Sequence, residues 1–462
     1  MIFGRCSTRR LAIEEVEMSD LRGKGQVGQN ALTASEAAAR LDDGTLTAER
    51  LVEDCLARIA AREPEIQAWD HIDPQHALDQ ARACDRTPRK SALHGIPVGI
   101  KDIFDTLDMP TGHGFGPYQG RRWGIDSACV AQLRAAGMVI MGKTVTTEFA
   151  CPVRRRTVNP HDPSRSPGVS SSGSAAAVAD FMVPLATGSQ TGGSVIGPSA
   201  NCGVYGYKAS LDGIDRGAFR HCKRSIDTIG HFARSIEDLL LFRQVQTCER
   251  AVALPERGAR LRVGVVKTSN WDIVEPAMKT AIDKVAGILV GAGAEVTEVV
   301  LPQRFDEIVP DFSVSNGWEA AEVLAAEIKD HFDAFNPHNR ARIEFVRTLS
   351  VEDYQRASRE LAAARGEMDA LHSKYDVFIS PSEPGEAPDG LDKVHSANFA
   401  RLWTQMHMPA VNLPLFTGDH GLPIGFQVIG RQNQDDRTLA LAAWIDGRLR
   451  EALGAVPVSA AQ

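Results

Sequence analysis

Residues 159–210 read NPHDPSRSPGVSSSGSAAAVADFMVPLATGSQTGGSVIGPSANCGVYGYKAS. Two serine-bearing loops punctuate this stretch, Val169-Ser170-Ser171-Ser172-Gly173-Ser174 and Gln190-Thr191-Gly192-Gly193-Ser194, a short helix and a strand apart. Glycine lets a backbone come close to a ligand and turn several N–H groups toward one atom. A serine ending such a turn holds its hydroxyl beside those donors, the layout that acyl transfer requires. The small residues from Ser174 to Asp180 start a helix behind the first loop, and the unpaired N–H groups at its N-terminus favour polar partners.

Upstream, Leu93-His94-Gly95-Ile96-Pro97-Val98-Gly99-Ile100-Lys101-Asp102 sets a lysine at the end of an apolar run, and Ile96 to Ile103 reads as a buried strand. Thr33-Ala34-Ser35-Glu36 is a capping box opening a helix that ends near Gly44. Thr47 caps a second helix, with Leu51, Cys55, Leu56 and Ile59 on one face. Helices through Ala77 to Cys84 and Asp126 to Ala136 follow, then a strand from Met138 through Met141 ending at Gly142. Arg262 to Val266, Pro276 to Val290 and Glu295 to Leu301 read as strand, helix and strand. Residues 317–373 look mainly helical, Tyr375 to Ser380 and Pro409 to Leu415 return to strand, and Leu439 to Leu453 closes as a helix. This alternation predicts an α/β layered fold. No repeat or low-complexity linker divides the chain. The expected organisation is an N-terminal extension over residues 1–25, then one large domain over 26–462 with a mainly helical insertion at about 303–373. Met18 is an alternative start.

Hydrophobic residues at 43% and charged residues at 24% suit a globular chain of 462 residues. A formal charge of −8 gives no electrostatic reason to expect nucleic acid or an anionic membrane. The eight cysteines contain no Cys-x-x-Cys pair and the histidines no His-x-x-x-His, so neither a disulfide framework nor a metal site is expected. The distribution suits reduced thiols and a cytoplasmic setting. No apolar run is long enough to span a bilayer.

The two serine loops and the lysine segment together resemble the amidase signature family of serine hydrolases, with its Gly-Gly-Ser-Ser-Gly-Gly-Ser, Gly-Thr-Asp-Thr-Gly-Gly-Ser and Gly-Ile-Pro-x-x-x-Lys-Asp motifs. Family-like stretches run from Leu32 to Gly421-Leu422-Pro423-Ile424-Gly425-Phe426-Gln427-Val428-Ile429-Gly430-Arg431. The resemblance implies a mixed β-sheet core covered by helices on both faces. It implies Ser194 as nucleophile, Ser170 as bridging serine after a cis Val169–Ser170 bond, and Lys101 as base. It implies an oxyanion hole from Thr191, Gly192, Gly193 and Ser194, and Ser170 in hydrogen-bond reach of both Lys101 and Ser194. Val169 stands where the family has glycine, and Gln190 where it has aspartate.

The residues support these roles independently. A serine hydroxyl is a weak nucleophile until a neighbour removes its proton. Lysine serves as that neighbour only when neutral, so its pKa of ~10.4 must fall by roughly 2–3 units, which burial can supply. Cys151, His113, Gly197 and Glu383 are candidates for substrate contact. Cys151 reads as a small buried hydrophobe in preference to a nucleophile, and His113 equally as a wall of the substrate entrance or a solvated loop histidine. Ser194-Val195-Ile196-Gly197-Pro198 lacks the arginine that relatives carry after the nucleophile. With Glu383 nearby, this favours an amine- or amide-bearing substrate over an anion.

The function expected is hydrolysis of the C–N bond of a small carboxamide or ureide through an acyl-enzyme, without cofactor or metal. The expected partners are the small amide substrate and a second copy of the chain as a homodimer, with no nucleic acid and no membrane. Alternatives are a biuret- or carboxybiuret-type ureide hydrolase, the glutamine-hydrolysing component of a tRNA amidotransferase, and a degenerate binding protein.

Overall fold

The five-residue strand β2 (Pro97–Lys101) is buried along its whole length, so other elements must cover both of its faces. The computed structural model describes residues 28–153, 156–247, 253–256, 258–391, 393 and 398–454, and the extension expected at 1–25 lies outside them. Among the described residues eleven strands form one mixed sheet. They are β1 (Trp69–Ile72), β2, β3 (Val139–Thr144), β4 (Leu185–Gln190), β5 (Tyr205–Lys208), β6 (Thr228–Ala233), β7 (Arg262–Lys267), β8 (Glu295–Val300), β9 (Val377–Pro381), β10 (Ala410–Thr417) and β11 (Pro423–Ile429). Their order is β1-β3-β2-β4-β6-β5-β10-β11-β9-β7-β8. Parallel pairing of β3, β2 and β4 lies toward one edge and of β9, β7 and β8 at the other, with antiparallel strands between.

The helices before the first loop are α1 (Ala34–Asp42), α2 (Ala48–Ile66), α3 (Pro74–Asp85) and α4 (Ala128–Ala135). Thr33 and Glu36 form the expected capping box, and the Thr47 side chain accepts from the Arg50 N–H. Behind the serine loops stand α5 (Ser172–Ala179) and α6 (Ile196–Asn201), followed by α7 (Ile236–Thr247) and α8 (Pro276–Gly291). Residues 304–372 are then helical in succession: α9 (Arg304–Glu307), α10 (Val309–Val323), α11 (Ala325–His331), α12 (Pro337–Val346) and α13 (Val351–His372). Helices α14 (Asn398–Gln405) and α15 (Asp435–Leu453) complete the chain. Among the described residues no helix is long and apolar enough to cross a membrane.

Two differences from the sequence reading have physical causes. The strand expected to end at Gly142 continues to Thr144. A Cβ at Gly142 would fall 2.4 Å from the His71 carbonyl oxygen, so glycine here admits β1 as a close partner and does not break the strand. Strands β1 and β5, four residues each, are too short for a periodic signal.

Every residue of α5 is buried, and its small side chains let it lie close to the sheet. A Cβ at Gly173 would meet the Ala68 carbonyl oxygen at 2.3 Å. The far end of α5 is held by a buried ion cluster. Arg58 Nη2 donates to Asp180 Oδ1 at 3.1 Å, and Arg62 Nε to the two carboxylate oxygens at 3.1 and 3.2 Å.

Candidate active site

Strands β2 and β4 run parallel, so their C-terminal ends emerge on the same side of the sheet. Lys101 is the last residue of β2, and Gln190, the last of β4, leads into the glycine loop. The first serine loop enters α5 beside them. The fold thus brings together three stretches that are distant in sequence.

Lys101 is fully buried. Its Nζ lies 2.8 Å from each of Ser170 Oγ, Ser171 Oγ and Ser189 Oγ, and 3.3 Å from the Ser189 carbonyl oxygen. Burial holds its pKa well below the ordinary lysine value; the Asp227 charge opposes this and Lys223 adds to it. The Val169–Ser170 peptide bond is cis. Ser170 reaches Lys101, but among the described residues no hydrogen bond joins it to Ser194, contrary to the expectation of a closed chain. Ser194 instead lines a cavity of about 620 Å³ together with Thr191, Gly192 and Gly193.

Gln190 organises that loop. Its Oε1 accepts from the N–H groups of Val195 at 2.8 Å and Ile196 at 3.0 Å, and its Nε2 donates to Thr404 Oγ1 at 2.9 Å. Thr404 in turn donates to the Gly192 carbonyl oxygen at 3.0 Å. Thr191 donates its hydroxyl to Asp227, whose other oxygen takes the N–H groups of Cys222 and Lys223. Among the described residues the N–H groups of Gly192, Gly193 and Ser194 have no protein acceptor, so they remain available to an oxyanion.

The four candidates for substrate contact divide. Gly197 and Glu383 line the cavity and face each other: a Cβ at Gly197 would lie 2.4 Å from Glu383 Oε1. Glu383 is buried, its Oε2 has no partner among the described residues, and burial pushes its carboxyl up to about 8. Cys151 is buried behind the wall, where its Sγ is 3.6 Å from Arg342 Nη1 and 4.0 Å from Lys223 Nζ. His113 neither lines the cavity nor meets solvent. It is 1% exposed, among the rings of Trp123, Tyr118 and Phe149, and burial followed by the Lys143 charge holds it well below the ordinary histidine range. The aromatic cluster joining this loop to Phe335 next to α12 accounts for its position; a lone sequence motif does not carry that information.

Sequence reasoning missed Ser189, the third hydroxyl on Lys101, because nothing but the register of β4 distinguishes it from its neighbours. It also missed Lys223, His338, Arg342 and Arg401, all on the cavity wall. His338 and Arg342 come from the mainly helical stretch 317–373, and Arg401 from α14, which the sequence reading did not single out. Among the described residues no group of His, Cys, Asp and Glu side chains is arranged to hold a metal ion.

A family model described as Amidase matches residues 50–439. The chain belongs to the amidase signature family. That places it among hydrolases acting on C–N bonds. It is 32% identical over 459 residues to a glutamyl-tRNA(Gln) amidotransferase chain from Chloroflexus aggregans, covering 87% of this chain and 93% of that one. A solved amidase structure superposes with a TM-score of 0.80 at 28% identity, covering 90% of this family member and 100% of the amidase. Another, solved in work on a vestigial protein complex and the origins of an s-triazine catabolic enzyme, gives 0.81 at 26%, covering 92% and 99%.

Proposed function

We propose that the chain is a serine amidohydrolase that cleaves the C–N bond of a small carboxamide or ureide through an acyl-enzyme on Ser194. The observation that carries this reading is the buried Lys101 amine ringed by three serine hydroxyls at 2.8 Å. A neutral amine has two N–H donors and one lone pair. Ser171 and Ser189 take the donors, and the lone pair receives the proton of Ser170. Ser170 takes the proton of Ser194 as Ser194 Oγ bonds to the substrate carbonyl carbon. Rotation of the Ser194 side chain as substrate fills the cavity closes that second leg, since such contacts are often open without substrate. The carbonyl π pair moves onto oxygen, where the free N–H groups of Gly192, Gly193 and Ser194 receive it. On collapse the C–N bond breaks, and the proton returns from Lys101 through Ser170 to the departing nitrogen. Water then attacks the acyl-enzyme by the same relay, releasing the acid and regenerating Ser194.

The test is amine release from a panel of carboxamides, anilides, hydrazides and ureides by the purified chain alone. Turnover of at least one class, lost in Ser194→Ala, supports the reading; a chain inert to the whole panel contradicts it. A second reading, the glutamine-hydrolysing component of an amidotransferase, draws on the curated relatives, which the chain matches over 93% of the first one's length. It predicts glutamine hydrolysis only when the other components of such an assembly are added.

A further inference from the structure

Three cations stand on the wall of the Ser194 cavity: Lys223 before β6, Arg342 on α12 and Arg401 on α14. Among the described residues none of them forms an ion pair with a carboxylate. Lys223 and Arg342 share only the Cys151 sulfur, at 4.0 and 3.6 Å. Arg401 has only the Phe312 ring, 5.3 Å from its guanidinium carbon. Elsewhere in the fold several arginines do meet carboxylates. Arg58 and Arg62 share Asp180, and Arg134 bonds both Asp108 and Asp126. Asp227, the carboxylate nearest to Lys223 in sequence, hydrogen-bonds Thr191 and two backbone N–H groups and acts on the Lys223 amine only through space.

Unpaired charges of one sign in a partly desolvated cavity repel one another, and an anion relieves that repulsion. Burial, followed by the charge of Arg342, holds the Arg401 guanidinium below its usual range, consistent with two like charges facing the same space. The acidic side chain on this wall is Glu383, which burial keeps in its neutral form below about pH 8 and which therefore does not neutralise them.

We propose that Lys223, Arg342 and Arg401 form an anion subsite, and that the amide cleaved at Ser194 carries a carboxylate seated there. This rests on the amidohydrolase reading and reverses the sequence expectation of an amine-bearing substrate. The arginine missing after Ser194 is replaced by cations from two helices remote in the chain. Guanidinium groups present paired N–H donors that match the two oxygens of a carboxylate.

Two measurements on the full chain test the proposal. The first compares kcat/KM for glutaramate with pentanamide, and for N-acetylglycine with N-ethylacetamide; in each pair a carboxylate is exchanged for a methyl group, on the acyl side in the first and on the amine side in the second. One of the pairs is expected to favour the carboxylate by about a hundredfold, and that pair tells which side of the scissile bond the subsite serves. The preference should fall about tenfold in Arg401→Gln or Arg342→Gln, as expected for loss of one charge-assisted hydrogen bond, and recover in part in Arg401→Lys. The second measurement is calorimetric binding of glutarate to the wild-type chain and to Arg401→Gln, which needs no turnover. Saturable glutarate binding weakened about tenfold in the variant supports the subsite even if no amide is hydrolysed, in which case the amidohydrolase reading alone fails. No glutarate binding, or equal turnover of charged and neutral partners in both pairs, overturns the subsite while leaving that reading intact.

Discussion

The Nζ of Lys101 lies 2.8 Å from the Oγ of Ser170, with the lysine fully buried at the end of β2. Burial, opposed by the Asp227 charge, lowers the lysine pKa well below its ordinary value, so the neutral amine exists at a lower pH than for a free lysine. In the proposed mechanism only that neutral form accepts a proton. Activity is therefore expected to rise with pH through the depressed lysine pKa and level off above it. Lys101→Met and Ser170→Ala are each expected to lower kcat by about 10³-fold or more, and the double variant to be little worse than either, because both serve one proton transfer. Rate–pH profiles and a double-mutant comparison check this; fully additive losses would mean two independent roles.

Gln190 fixes the glycine loop from behind through the N–H groups of Val195 and Ile196. In Gln190→Ala those two buried donors lose their acceptor, and Thr404 loses its bond to Nε2. The expected outcome is a fall in kcat of roughly 10–100-fold with KM changed much less, since the oxyanion donors are displaced while the cavity wall remains. Steady-state kinetics read this directly.

Glu383 gives a stability signature. Burial raises its carboxyl to about 8, so the folded state keeps a proton that the unfolded chain releases near the ordinary glutamate value of ~4.3. Between those two values the folded state binds more protons, so this contribution is fully present below about pH 4 and is lost as pH rises to about 8. A shift of this size corresponds to a few kcal/mol, about 3–5 at most. Thermal unfolding of Glu383→Gln should show a smaller loss of Tm between pH 5 and 9 than the wild type. Equal losses would place Glu383 in a wetter setting than its burial indicates.

Asp180 joins Arg58 and Arg62 at the far end of α5, away from the serines. Asp180→Ala leaves two buried guanidinium groups without their shared carboxylate and is expected to cost about 3–5 kcal/mol in denaturant unfolding. Because Ser171, which meets the Lys101 amine, is the N-cap of α5, activity should decline along with stability.

The catalytic candidates were legible from sequence because each sits in a glycine- or serine-rich segment whose local chemistry is unusual. Lys101 ends an apolar run, and Ser170 and Ser194 end tight loops. The capping box at Thr33 and Glu36 and most strands were legible for the same local reason. The substrate wall was not. His113 lies in a glycine-flanked loop that looks exposed, yet Tyr118, Trp123 and Phe149 surround it, and Phe149 in turn packs on Phe335, more than 180 residues later in the chain. Arg342 sits on a helix with an ordinary charged face and Arg401 is the lone charge of α14, and only tertiary placement separates them from solvated arginines. The sequence preference for an amine-bearing substrate rests on the arginine missing after Ser194, whereas the proposed anion subsite rests on cations that the fold brings to the cavity wall.

Covalent labelling reads out whether Ser194 is the nucleophile. The purified chain is treated with a fluorophosphonate, and the modified peptide is mapped by mass spectrometry for the wild type, Ser194→Ala and Lys101→Met. The expected result is one adduct on Ser194, none in Ser194→Ala and labelling slowed by at least about a hundredfold in Lys101→Met. An adduct on Ser170 or Ser171, or undiminished labelling without Lys101, would contradict that role.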